Sequence, residues 1–239
     1  MSGTLNEASI DSRVAQAAEL VAQIRQHSGL LTSRVELLPR QMAAAALVRA
    51  ADLLEQLAAV ARTHNRHLGL QARAIWECWV VGHYLLWRGD DAMEHLYGAH
   101  ARDSRVLAEV WPKDGAQIAN LVPAVEERRI NWEALSRQVG EWLQNQGDMS
   151  LMASTHAVQY RSLSGIDVHA GYSSLMRYVV LKCDRYELAE PAPFVPPHVA
   201  VGLSALYAAH LARPVFATFS IEAPLRWCDE FMAGFGVLD

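Results

Sequence analysis

The sequence predicts an all-α fold, a multi-helix bundle of about eight to nine helices around a buried, Trp-rich central helix. Three observations carry that prediction. Apolar residues recur at helical spacing from one end of the chain to the other. Ala is abundant and runs of Val, Ile and Thr are few, a balance that favours helix over sheet. Gly, Pro, Asn and Asp punctuate the pattern where helices would start and stop.

Asp11 suits the N-cap of a first helix through "SRVAQAAELVAQIRQH", and Gly29 suits its end. Pro39 fits the first turn of a second, through "RQMAAAALVRAADLLEQLAAVARTH". A third spans 69–88, "GLQARAIWECWVVGHYLLWR", stopped by Gly89. It is apolar nearly all round and carries Trp76, Trp79 and Trp87, so it reads as the central helix. A fourth begins at Asp90 and Asp91, acids in the first turn as the helix dipole favours, and closes near Pro112. Shorter helices are expected at 116–129 and, behind an Asn131 cap, at 132–145. Another is expected through "SSLMRYVVLKCDRY". Two close the chain, at 198–212 and 222–233. No internal repeat and no β-hairpin signal stands out.

The 239 residues, 51% hydrophobic and 20% charged, suffice for a substantial core. We read 1–239 as a single helical domain. Residues 1–190 form the main bundle, and the Pro-rich "ELAEPAPFVPPH" leads into a C-terminal helical extension, 191–239, packed on it. Net charge is −5, with no basic stripe of the kind nucleic-acid binders show. Cys78, Cys183 and Cys228 are scattered without a CxxC spacing, which points to reduced thiols and a cytoplasmic protein. No signal peptide is evident. The apolar run "HVAVGLSALYAAHLARPVFATF" contains His198, His210, Arg213 and Pro214, so a buried helix is expected there and no membrane partner.

Chemistry concentrates in "YRSLSGIDVHAGY", residues 160–172. Ser164, Asp167 and His169 have the residue types of a hydrolase triad. On one helix, however, Ser164 and His169 point about 140° apart, and no GxSxG elbow exists. If Gly165 breaks the helix and Asp167 caps the next, His169 falls in a first turn, whose free N–H groups attract anions. The alternative is purely local: Asp167 caps, Ser164 bonds its own backbone and Tyr160 packs. Neither a metal nor a cofactor is expected: His64/His67 and Asp91/His95 have helical spacing only, with no ExxH or HExxH, and phosphate-loop motifs are absent. His83 reads as a core histidine. Arg73 and Glu77, four apart on the third helix, can pair, and a buried carboxylate there needs a partner.

"RAIWE" followed by "YRSLSGIDVH" resembles a family of bacterial all-helical proteins known only as a domain of unknown function. Its motifs, Arg-x-x-x-Glu and then Tyr-x-x-x-Ser with a His shortly after, fall here on Arg73, Glu77, Tyr160, Ser164 and His169. The similarity spans about residues 40 to 185. Where the family often has Pro after the His, this chain has Ala170. The resemblance implies an intracellular helical bundle and no established activity. A weaker similarity is to HEPN-type helical ribonucleases, dimers marked by Arg, four to six residues, then His. "RTHNRH" and "RGDDAMEH" fit that spacing about as often as chance allows, and Arg161 to His169 misses it by one.

Three functional expectations follow. The first is a polar, anion-suited pocket formed by Arg73, Glu77, Tyr160, Ser164 and His169, for an anionic small molecule. The second is a metal-independent HEPN-like ribonuclease, a toxin or phage-defence effector, in which Arg161 and His169 act on RNA within a homodimer. The third is a non-catalytic interaction scaffold, which exposed Trp227 and Phe231 would support.

Overall fold

A computed structural model describes residues 10–62, 68–110, 125–147, 179–182, 185–188 and 195–234. Seven α-helices stand among them: α1 Ile10–Ser28, α2 Leu38–Ala61, α3 Gly69–Arg88, α4 Asp90–Val110, α5 Trp132–Asn145, α6 Pro197–Thr218 and α7 Ala223–Ala233. A 3₁₀ turn, Val35–Leu37, leads into α2. The architecture is an all-α helical bundle carrying one short two-stranded hairpin.

That hairpin corrects an expectation. Within the stretch read as a helix, β1 Val179–Lys182 pairs antiparallel with β2 Arg185–Leu188, in the register Val179↔Leu188 and Lys182↔Arg185. Val179, Val180 and Tyr186 belong to the β-branched and aromatic types that suit a pleated strand. The apolar run was too short for periodicity to tell a strand from a helix. The helix expected at 116–129 does not cover 125–129, which have no regular structure; 116–124 lie outside the described residues.

Element ends follow local chemistry. Asn131 caps α5, its side chain accepting from Ala134 N–H at 3.1 Å. Gly89 ends α3 at φ 53°, a conformation that costs glycine least. The last long helix was expected to stop at 212, before Pro214, yet α6 runs through it to Thr218. A proline inside a helix costs about 3 kcal/mol. Here the next turn places Val215 and Phe216 in the core, almost without exposure, which outweighs that penalty. Thr218 Oγ1 also donates to the Pro214 carbonyl at 2.8 Å.

α2 packs against α1, α3 and α6, while α3 packs against α2, α6, α5 and α4. α6, beyond the prolines, lies directly on α1, α2 and α3 and carries α7. Its buried face includes Val201, Ala205, Tyr207, Leu211 and Phe216. Gly82 makes the α3–α6 approach possible: a Cβ there would lie 2.5 Å from Leu211 Cδ1. α6 is the one helix among the described residues long and apolar enough to cross a membrane, and 78% of its apolar window is buried inside the protein.

Candidate functional site

The half-open side of α3 carries the first two predicted site residues. Arg73 and Glu77 are one turn apart, and Arg73 Nε donates to Glu77 Oε1 at 2.9 Å. Their side chains are only 18% and 27% exposed, so the pair sits largely out of water. Beside it, the Cys78 thiol is buried, and desolvation pushes its pKa up to about 11. Arg49, from α2, opposes that shift through its charge and a hydrogen bond to the thiol, and Glu77 adds to it. At neutral pH Cys78 is a protonated, unreactive group. The strip therefore offers two guanidinium groups and one carboxylate along the α2–α3 seam. Tyr160, Arg161, Ser164 and His169 lie outside the described residues, so of the pocket the structure places Arg73 and Glu77, and brings those two together.

The formal Arg–His spacings are answered by other neighbours. Arg62 ends α2 and pairs with Asp11 at 3.4 Å; His64 and His67 lie outside the described residues. Arg88 pairs with Asp91 at 2.8 Å and lies over the Trp87 ring at 5.5 Å. His95 instead faces Tyr84, Nδ1 to Oη, at 3.3 Å. Burial raises the Tyr84 pKa. Among the described residues no group of three or more His, Cys, Asp or Glu side chains could hold a metal ion.

On the opposite, dry side of α3 the sequence disclosed less than is there. His83 is buried, as expected of a core histidine, with Nδ1 2.9 Å from the Trp79 carbonyl. A carbonyl can only accept, so His83 carries a proton on Nδ1. His210 of α6 has the opposite arrangement. Its Nδ1 accepts from Trp79 Nε1–H at 3.1 Å, which leaves its proton on Nε2. The two rings lie 5.1 Å apart, and Tyr207 packs on Trp79 at 5.4 Å. Trp142 of α5 meets His83 edge-on at 6.4 Å and stacks on Trp87 at 5.9 Å. The sequence signal for this network was His210 itself, a polar ring on the most apolar helix.

Trp227 and Phe231 are half-buried, lie 5.0 Å apart at a 31° tilt and pack on the core, and Trp227 Nε1–H donates to Glu19 at 3.2 Å. The pair is thus partly, not fully, exposed on α7. No protein-family model, curated protein or solved structure matches this chain.

Proposed function

We propose that this is a cytosolic helical protein that binds a small anionic ligand in a polar pocket built on Arg73 and Glu77 and completed by Tyr160, Ser164 and His169. The architecture that goes with this reading is about eight to nine helices organised around α3, and membership of the bacterial family of unknown function named above. One observation carries it: the Arg73–Glu77 pair is held at 2.9 Å with both side chains mostly shielded from solvent. Taking two charges out of water costs several kcal/mol unless their geometry and hydrogen bonds are good, so such pairs are weak devices for stability. They serve better to hold a guanidinium plane in a fixed orientation. Glu77 engages Nε, which fixes the orientation of the guanidinium plane. Arg49 adds a second positive charge near the seam. With His169 beside a bound anion, the same pocket would support proton transfer.

The test is calorimetric titration with inorganic phosphate, alongside incubation with a short RNA. Saturable phosphate binding in the wild type, lost in Arg73→Lys, is the expected result. Lysine keeps the charge and discards the fork. RNA cleavage abolished by His169→Ala would move the site to the HEPN-like ribonuclease reading, with Arg161 and His169 acting in a homodimer. No phosphate binding and no cleavage would remove both.

A further inference from the structure

The outer face of the α1/α2 pair carries a cleft that this reading does not use. Its volume is about 420 Å³, and its floor is Val14, Ala18, Val21, Ala22, Ala58 and Ala59. Ala18, Ala22 and Ala59 are exposed. Short side chains there let another helix surface approach closely.

Each end of the cleft is closed by ion pairs that cross from one helix to the other. At one end Arg25 of α1 meets Glu55 at 2.6 Å and Asp52 at 3.2 Å, both on α2. At the other, Arg62 at the end of α2 meets Asp11 of α1 at 3.4 Å. The signs therefore alternate around four corners. α1 has acid at one end and base at the other, and α2 has the reverse. Such a checkerboard is complementary to itself. A two-fold axis lying in the face, along the helices or across them, sets every acidic corner on a basic corner of a second copy. That is the requirement for an isologous dimer. All five corner side chains are about half exposed or more, so each can take a second partner. A face ~28 Å long and two helices wide offers on the order of 600 Å² per copy. That is the lower end of what specific association needs.

We propose that this face is a self-association surface: a second copy of the chain docks its own α1/α2 face on it, forming a two-layer, four-helix arrangement with unlike corner charges paired across. Small facing side chains are compatible with such packing.

Light scattering on size-fractionated protein, at low salt and in the hundreds of micromolar, tests it. The expected mass is that of two chains, falling to one as salt is raised. Ala18→Arg with Ala59→Arg fills the cleft and should give a monomer with unchanged helical signal. Gln138→Arg, on an exposed position of α5, should remain dimeric. Should the double variant fail to fold, Arg62→Glu serves instead and should weaken association about tenfold or more. A wild type that stays monomeric throughout, or a dimer indifferent to these substitutions, would overturn the proposal.

Discussion

The inner seam between α3 and α6 and the outer seam between α1 and α2 solve the same problem with opposite chemistry. Inside, Trp76, Trp79, Tyr207 and Leu211 are almost without exposure, and a buried hydrogen bond from Trp79 to His210 crosses between the two helices. On the outer rim of the α1/α2 contact, valines and alanines line a cleft, and exposed arginine–carboxylate pairs bridge the two helices above their buried core residues. In the dry seam geometry is exacting, because a lost partner strands a polar group and a lost ring leaves a void. In the wet seam water replaces what a substitution removes. The inner seam should therefore govern stability, and the outer one should govern contacts with other molecules.

That contrast breaks most visibly by removing a whole wall. Truncation after residue 190 takes away α6, on which α1, α2 and α3 all pack. The shortened chain should lose cooperative folding, seen as loss of a sharp thermal transition. Next comes Trp79→Ala, which empties a fully buried indole site and leaves His210 Nδ1 without its donor. We expect a loss of about 3–5 kcal/mol in urea unfolding. Gly82→Ala follows, because the added methyl must push Leu211 aside. Overpacking of that kind costs about 1–3 kcal/mol.

The two buried thiols sharpen the comparison through pH. Burial raises Cys78 from 9.0 to about 11 and Cys228 from 9.0 to about 12. Above pH 9.0 the unfolded chain releases these protons while the folded chain keeps them. Stability is therefore whole below the unfolded value and is lost as pH rises through 9.0 toward 11. Urea midpoints measured across that window should fall, and Cys78→Ala with Cys228→Ala should flatten the decline. Persistence of the full slope in the double variant would show that other groups, Tyr84 among them, carry it.

Much of the body of the fold was readable in the residues because each signal acts locally. The four-residue spacing of Arg73 and Glu77 fixes that they share a face, and the structure has them bonded. Asn131 announced its cap because capping is a contact within one turn. What failed was non-local. The hairpin at 179–188 depends on pairing between strands, and a short apolar run does not declare that. α6 continues past Pro214 because Val215 and Phe216 find a core to enter, and no residue near Pro214 says so. Likewise His83 could be assigned to the core, but two of its partner rings, Trp142 and His210, come from α5 and α6, more than fifty residues away in sequence. Of the five residues proposed for the site, Arg73 and Glu77 form a local pair, and Tyr160, Ser164 and His169 lie outside the described residues.

The smallest expected effect lies at the outer seam. Arg25 holds Glu55 at 2.6 Å in good geometry, yet both side chains are about half exposed. Solvent screens pairs of that kind, and salt weakens them further. Arg25→Ala should therefore leave the urea midpoint of the monomer nearly where it was. The alternating corners of the cleft would lose one member in each copy, and self-association should weaken more than stability does. A loss of monomer stability comparable to that of Gly82→Ala would mean that the outer seam bears load as the inner one does, and the division drawn between them would fail. An unchanged monomer that no longer associates would instead separate the two seams by role, one holding the chain folded and the other meeting its copy.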